Sequence, residues 1–247
     1  EKEQYRNKCS LQGKCSYVGG GQGGGRGGNG AWRESRLAQF LDAMLALCAA
    51  AWYVAGMLSV IIPTHNNEFA LARCLAALVP GAVDGVVAEV IVADRRSDDG
   101  TATVADAAGC RLISLDEPRD ERVAAALSAV ERGRWILVLE PTVALEPGWQ
   151  REVSAFVDAA ERTGSAGERT AVFRFAFDEF VRPRPVSQAV VSLRSRLLGL
   201  PVPEQGLLAT RSALSKALDE GRRAPSLDAA ISWRRLSVLR SRALVHP

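Results

Sequence analysis

Two continuous apolar runs, Leu58–Pro63 and Val86–Ala93, bracket a stretch with apolar residues at helical spacing. Neither run alternates with polar residues, which suits strands buried on both faces, as in a parallel sheet. Between them Phe69, Ala72, Leu75, Ala76 and Val79 recur at the helical period, so a helix is expected over Glu68–Leu78. Asn66 or Asn67 is expected to cap its start and Pro80-Gly81 to end it. A strand–helix–strand of this length implies a right-handed parallel crossover.

The alternation continues. Thr101–Ala108 is expected as a second helix and Cys110–Ser114 as a short third strand. Arg119–Arg132 places Val123, Ala126, Leu127 and Val130 on one helical face, and Trp135–Leu139 reads as a fourth strand. Pro147 can open a helix that runs to about Arg162. Ala171–Phe180 puts Phe173, Phe175 and Phe177 on one side of a half-buried strand. Val186–Leu198, Leu207–Leu218 and Ser226–Arg240 are expected as helices, with a loop at Pro201–Gly206. The pattern predicts an α/β fold: a single Rossmann-like domain over residues 57–247, its mostly parallel central sheet flanked by helices.

Residues 1–56 do not join that pattern. Residues 19–30 hold nine glycines in twelve positions, too little apolar surface to offset ordering entropy, and are expected to form a disordered linker. Leu37–Gly56 is more apolar, but its uncharged run after Asp42 is short of the roughly 20 residues of a spanning helix. It reads as a short helix on the domain or, with Arg33 and Arg36 before it, as a signal-like or anchoring segment. Met57 is expected as the natural start, with 1–56 as upstream extension.

Composition adds a core and an uneven charge. Apolar residues make up 47% of the 247, and the net charge is +3. Residues 1–36 carry seven Lys/Arg against three Glu; the section from Arg182 onward carries twelve Lys/Arg against four Asp/Glu. That basic section suits an anionic partner, either a phosphate-bearing ligand or a membrane surface, or equally a set of solvated arginines on amphipathic helices. Nucleic acid is not expected. The odd set of five cysteines has no metal-ligand spacing, and Cys74 and Cys110 sit in apolar contexts, which points to a reducing compartment. A cytoplasmic location, at the inner membrane face if the basic section docks there, is the expectation.

Candidate chemistry gathers at strand ends. Asp94 closes the second strand, where open α/β sheets bind ligands, although an aspartate there also serves as a turn or cap residue. No Gly-x-Gly-x-x-Gly follows the first strand, which speaks against a dinucleotide-dependent dehydrogenase. His65 reads as a loop residue, His246 as part of a disordered terminus, and Trp135 and Trp149 as packing residues.

Taken together, SVIIPTHNN, LARCLAAL and EVIVADRRSDDGT resemble the opening of family 2 glycosyltransferases. That pattern is a strand ending in Pro-Thr/Ser-x-Asn, then one ending in Asp-Asp-x-Ser-x-Asp-Gly-Thr. WILVLEPTVALEPGW resembles the family's apolar strand, Asp-x-Asp and Pro-Gly-Trp; LLGLPVPEQGLLATRSAL resembles its Gly-Asp-Gln-Gly acceptor-side segment. The resemblance covers residues 57 to about 240. It implies the GT-A fold and sugar transfer from a nucleotide-sugar donor to an unknown acceptor, lipid-linked or of the cell envelope in many relatives. It also implies nucleotide contacts at Pro63, Thr64, Asn66, Asp94 and Asp99, with Asp98 in the same loop, acceptor-side roles for Glu204 and Gln205, and a general base at Asp228. A carboxylate there would take the proton of the attacking hydroxyl; the alternative is a helix cap.

The departures fall on the phosphate site. The Asp-x-Asp becomes Glu140-Pro141-Thr142, leaving Glu140 as the single candidate ligand for Mg2+ or Mn2+, or as a solvated turn residue. The acidic residue and glycine after Asp94 become Arg95 and Arg96, which could pair with the diphosphate or fill its pocket. A non-catalytic relative that binds a nucleotide or a partner is therefore the alternative reading.

Overall fold

Seven consecutive residues, Leu58–Thr64, are buried and form β1, near the middle of a sheet with eight strands among the described residues. The structure is a computed structural model that describes residues 57–177, 202–221 and 236–246. In chain order, β1 is followed by α1 (Glu68–Val83), β2 (Val87–Asp94), α2 (Thr101–Ala107), β3 (Arg111–Ser114) and α3 (Arg119–Ser128). Then come β4 (Trp135–Val138), β5 (Val143–Leu145), α4 (Trp149–Arg162), β6 (Thr170–Phe177), β7 (Leu207–Thr210), α5 (Arg211–Gly221) and β8 (Leu236–Val245).

The sheet order is β3-β2-β1-β4-β7-β6-β8-β5. Strands β3, β2, β1 and β4 are mutually parallel; β7 runs antiparallel to both neighbours, and β6 and β8 pair in parallel. The sheet is thus mostly parallel, as its two-sided apolar runs require. The sheet feeds two cores. Val60, Ile62, Val90, Val92, Leu137 and Phe173 pack with α1 and α4 through Leu71, Leu75, Leu78, Trp149 and Val153. Ile61, Ile91, Ile136, Val138 and Val172 pack with α3 and α5 through Val123, Ala126, Leu127 and Leu214. Trp135 and Trp149 are packing residues, each almost wholly buried, with edge-to-face partners in Phe156 and Phe173.

The boundaries shift where tertiary contacts outweigh local signals. α1 does not stop at Pro80-Gly81 but runs on to Val83. The indole of Trp149 donates to the Ala77 carbonyl at 3.0 Å and packs where a side chain on Gly81 would stand, so the last turn is held from outside despite the proline. α3 ends at Ser128 rather than Arg132, because Glu131 and Arg132 turn their N–H groups onto the Glu89 carboxylate at 3.0 and 2.8 Å.

Two helix expectations become strand. Leu207–Thr210 is β7, buried on both faces between β4 and β6; α5 begins only at Arg211. Leu236–Arg240, expected at the end of a helix, belongs to β8. There Leu239 and Ala243 are buried while Val238, Arg240 and Arg242 are exposed, a period of two. Residues 226–235 and the expected helix Val186–Leu198 lie outside the described residues, as do 1–56 and 178–180. His246, expected in a disordered terminus, is buried: its N–H donates to the Thr142 carbonyl at 2.9 Å.

Candidate functional site

The paired ends of β1 and β2 carry the site. Thr64 and Asp94 stand side by side in the parallel register, and the loops that follow, 65–67 and 95–100, close on each other. Asp94 is only 2% exposed. Its Oδ2 accepts the Ser97 N–H at 2.8 Å and its Oδ1 accepts the Ser97 hydroxyl at 2.5 Å. Ser97 Oγ in turn accepts the Asn66 N–H at 2.8 Å, and Asn66 Oδ1 accepts the Asp98 N–H at 3.0 Å. Two residues in this network adopt left-handed backbone, Asn66 (φ 50°) and Arg96 (φ 49°). Asparagine tolerates that region through local hydrogen bonds; arginine has no such compensation.

The same loops are tied at their far end. Glu68 donates its N–H to Asp99 Oδ2 at 3.0 Å, and the Gly100 N–H reaches Glu68 Oε2 at 3.2 Å. Asp99 Oδ1 accepts the Thr101 N–H at 3.0 Å, and Thr101 Oγ1 accepts the Asn67 N–H at 3.1 Å. The Thr101 hydroxyl, with the N–H groups of Thr101 and Glu68, holds the Asp99 carboxyl below its ordinary range. A side chain at Gly100 would push the Glu68 carboxylate aside and break its bond to the Gly100 N–H. Asp99 thus satisfies the opening N–H groups of both α1 and α2, and Glu68 that of Gly100 before α2.

Arg122 locks the strand ends from below. It is 7% exposed and donates through Nη1 to the Thr64 carbonyl at 2.6 Å and the Ala93 carbonyl at 2.7 Å, and through Nε to the Glu117 carbonyl at 3.1 Å. Burial pulls its pKa down, the charges of Asp94 and Glu140 push it back up, and Arg95 and Arg119 add to the pull. Sequence spacing did not single out Ser97 or Arg122. The Asp-x-x-Ser interval from Asp94 to Ser97 was a usable signal for the first; a buried arginine on an otherwise apolar helix face gives none for the second.

The remaining predicted residues divide. Pro63 and Thr64 are buried at the end of β1, and Thr64 Oγ1 has no hydrogen-bond partner among the described residues. Arg95 is exposed and pairs with Asp116 at 3.1 Å, its N–H closing onto the Thr64 carbonyl; Arg96 is exposed. His65 is also exposed, with Nδ1 3.0 Å from the Arg95 carbonyl, the loop position expected of it. Gln205 is 1% exposed and spans its own turn and β6: its Oε1 accepts the Val202 N–H at 3.2 Å and its Nε2 donates to the Phe173 carbonyl at 3.0 Å. That amide is committed to the fold, while Glu204 beside it is half-buried. Asp228 lies outside the described residues.

Glu140 stands at the end of β4, 2.6 Å from Arg119 Nε, and Arg119 Nη1 also reaches Asp120 at 3.0 Å. Thr142 is neutral and its carbonyl takes the His246 N–H; His246 Nε2 lies 3.2 Å from an Nη of Arg73. Among the described residues no group of three His, Cys, Asp or Glu side chains could hold a metal ion. Among the described residues, the Glu140 carboxylate and the His246 imidazole each face a guanidinium. Mg2+ is commonly held by one or two carboxylates completed by substrate phosphates and water, so Glu140, once released from Arg119, is the described carboxylate that would hold a divalent ion brought with a diphosphate.

The family model for glycosyl transferase family 2 matches residues 59–211. No curated protein matches the chain. Solved structures of glucosyl-3-phosphoglycerate synthase from Mycobacterium tuberculosis are similar in fold. The complex with phosphoglyceric acid is 21% identical with a TM-score of 0.51, covering 84% of this chain and 76% of that one. The complex with Mn2+, uridine diphosphate and glucosyl-3-phosphoglycerate is 19% identical with a TM-score of 0.52, covering the same shares. The complex with Mn2+ and uridine-diphosphate-glucose is 21% identical with a TM-score of 0.52, covering 84% and 75%.

Proposed function

This chain belongs to glycosyl transferase family 2, and on that premise we propose that it transfers a sugar from a uridine-diphosphate sugar to an acceptor hydroxyl. The observation that carries the reading is the interlocked pair of loops at the ends of β1 and β2. Thr64, Asn66, Asp94, Ser97 and Asp99 are fixed there around the strand ends where α/β sheets bind nucleotides. Preorganised loops hold a nucleotide without having to order on binding.

In the proposed reaction the acceptor oxygen attacks the anomeric carbon, and the bond from that carbon to the diphosphate oxygen breaks. The electron pair leaves with the nucleoside diphosphate, and the acceptor proton passes to a carboxylate. Asp228 is our assignment for that carboxylate, on its place in the family pattern. Uridine as the base follows the complexes of the similar synthase, which bind uridine diphosphate and its glucose derivative. The acceptor stays open. Arg95 and Arg96 leave the end of β2 on the exposed side of the nucleotide loops, where they can meet phosphate oxygens.

One observation favours a second reading, a relative that binds the nucleotide without turning it over: Glu140 is spent on Arg119 and Thr142 carries no charge. Release of uridine diphosphate from a panel of uridine-diphosphate sugars separates the two. The enzyme reading expects release that falls by about 10²-fold or more in Asp228→Asn. Binding without release supports the second reading, and neither binding nor release defeats both. The membrane-surface expectation rested on the basic section from Arg182 onward and its helix at 186–200, of which residues 182–201 and 222–235 lie outside the described residues; among the described residues no helix is long and apolar enough to cross a membrane.

A further inference from the structure

We infer that Arg122 is a positioning residue of the donor site: its one buried guanidinium sets the spacing of the strand ends that receive the nucleotide. The inference deepens the nucleotide-sugar reading above and rests on it. Arg122 is the fourth residue of α3 and is 7% exposed. Its fork reaches three separate segments: the Thr64 carbonyl at the end of β1, the Ala93 carbonyl near the end of β2 and the Glu117 carbonyl in the loop before α3. These acceptors are neutral, and no ion pair of Arg122 is found among the described residues. A buried charge without a contacting counter-charge is costly, and an apolar side chain of similar volume often serves a fold as well. What the guanidinium alone supplies is a rigid planar set of donors that holds the three carbonyls in a fixed relation.

Two groups of the proposed nucleotide site, Asp94 and Thr64, hang on that fork. Asp94 follows Ala93, whose carbonyl Arg122 holds at 2.7 Å. The Arg95 N–H on its other side donates to the Thr64 carbonyl at 2.9 Å, and the Asp94 carbonyl accepts the Leu115 N–H at 2.9 Å. The peptide groups around Asp94 are therefore tied to β1, to α3 and to the residue after β3, and that frame sets where its carboxylate stands. Thr64 is held by the same Nη1, at 2.6 Å, while its Oγ1 has no partner among the described residues. A buried hydroxyl left unpaired at a ligand-binding strand end points to a contact that a ligand completes. Groups that bind or orient a substrate lose much of their effect when displaced by about 1 Å. The spacing that Arg122 imposes thus bears on donor affinity without Arg122 touching the donor.

The test is calorimetric titration of the whole chain with uridine diphosphate in the presence of Mn2+. Arg122→Gln is expected to weaken binding about tenfold or more. Arg122→Lys keeps the charge and loses the fork, and is expected to stay weakened by a similar factor. Glu89→Gln is the destabilised control. It alters a carboxylate that accepts the Ser59 hydroxyl and the Glu131 and Arg132 N–H groups near the start of β1 and β2, and is expected to bind within about threefold of wild type. Urea denaturation measures the stability of each variant. Hydrogen exchange of the free proteins reads the spacing: Arg122→Gln is expected to exchange faster in peptides spanning 63–68, 94–101 and 115–118, and Glu89→Gln as wild type there. If Arg122→Gln does not fold, Arg122→Lys carries the comparison; failure of both to fold assigns Arg122 to the fold alone and overturns the inference. Unchanged affinity in Arg122→Gln, full rescue by lysine or an equal loss in Glu89→Gln also overturns it and leaves the transferase reading standing. No binding by the wild-type chain overturns both.

Discussion

Ser97 gives both of its donors to Asp94, the backbone N–H at 2.8 Å and the hydroxyl at 2.5 Å, so the buried carboxylate at the end of β2 is held by a residue three positions on. The same hydroxyl oxygen accepts the Asn66 N–H, which ties the loop after β1 to the loop after β2. Ser97→Ala removes one donor from a carboxylate that water scarcely reaches and one acceptor from Asn66. A loss of about 1–3 kcal/mol is expected by urea denaturation, with weaker uridine diphosphate binding. Unchanged stability would mean the two loops are not coupled through this hydroxyl.

Thr64 offers the opposite combination. Its Oγ1 is buried at the end of β1 with no partner among the described residues, an arrangement that costs stability in the free protein. Thr64→Val is therefore expected to stabilise the fold by about 1 kcal/mol while weakening nucleotide binding. Paired melts and titrations check both signs; a variant that gains stability and binds as wild type would remove Thr64 from the site.

Arg96 carries a left-handed φ of 49° at the position where the family pattern has glycine. The backbone penalty for a side chain there is about 1–2 kcal/mol, partly offset because glycine gains freedom in the unfolded chain. Arg96→Gly is expected to stabilise by on the order of 0.5 kcal/mol, read by chemical denaturation. If the Arg96 guanidinium contacts phosphate, the same variant loses nucleotide affinity.

Acid should loosen the sheet edge and the loop beneath β1. Burial opposes ionisation of Glu152, but the Ser241 hydroxyl and the N–H groups of Arg240 and Ser241 outweigh it and hold its pKa below the ordinary value. Glu89 behaves alike: burial opposes its charge, and the Arg132 N–H, the Ser59 hydroxyl and the Glu131 N–H prevail. Carboxyls depressed in the folded state add stability above their unfolded pKa of about 4.3, and that stability drains as pH falls through the lower folded values. The urea midpoint is expected to hold at neutral pH and to fall below about pH 4. Glu152→Gln, which frees β8 from α4, should cost about 2 kcal/mol at neutral pH and flatten the acid side of the profile.

The first half of the sheet was legible because β1, β2 and β4 are buried on both faces and the helices between them carry an apolar face, so local periodicity matches the final environment. The second half was not. LLAT at 207–210 becomes a strand because it slots between β4 and β6, whose sequences lie far away along the chain. LSVLRSRALV hid its alternation behind Arg240 and Arg242, which face solvent at the sheet margin. At the candidate site, Thr64, Asn66, Asp94 and Asp99 lie in the motifs the sequence displays, whereas Arg122, Arg119 and His246 make their bonds across long sequence separations that no local pattern records.

The central claim is that the nucleotide lies on the loops at the ends of β1 and β2, and hydrogen exchange with and without uridine diphosphate tests it most directly. Protection is expected in peptides spanning residues 63–68 and 94–101, with the N-terminal end of α3 following through Arg119 and Arg122. No change in those peptides at saturating nucleotide, or protection confined to other parts of the sheet, would contradict the site and the function built on it.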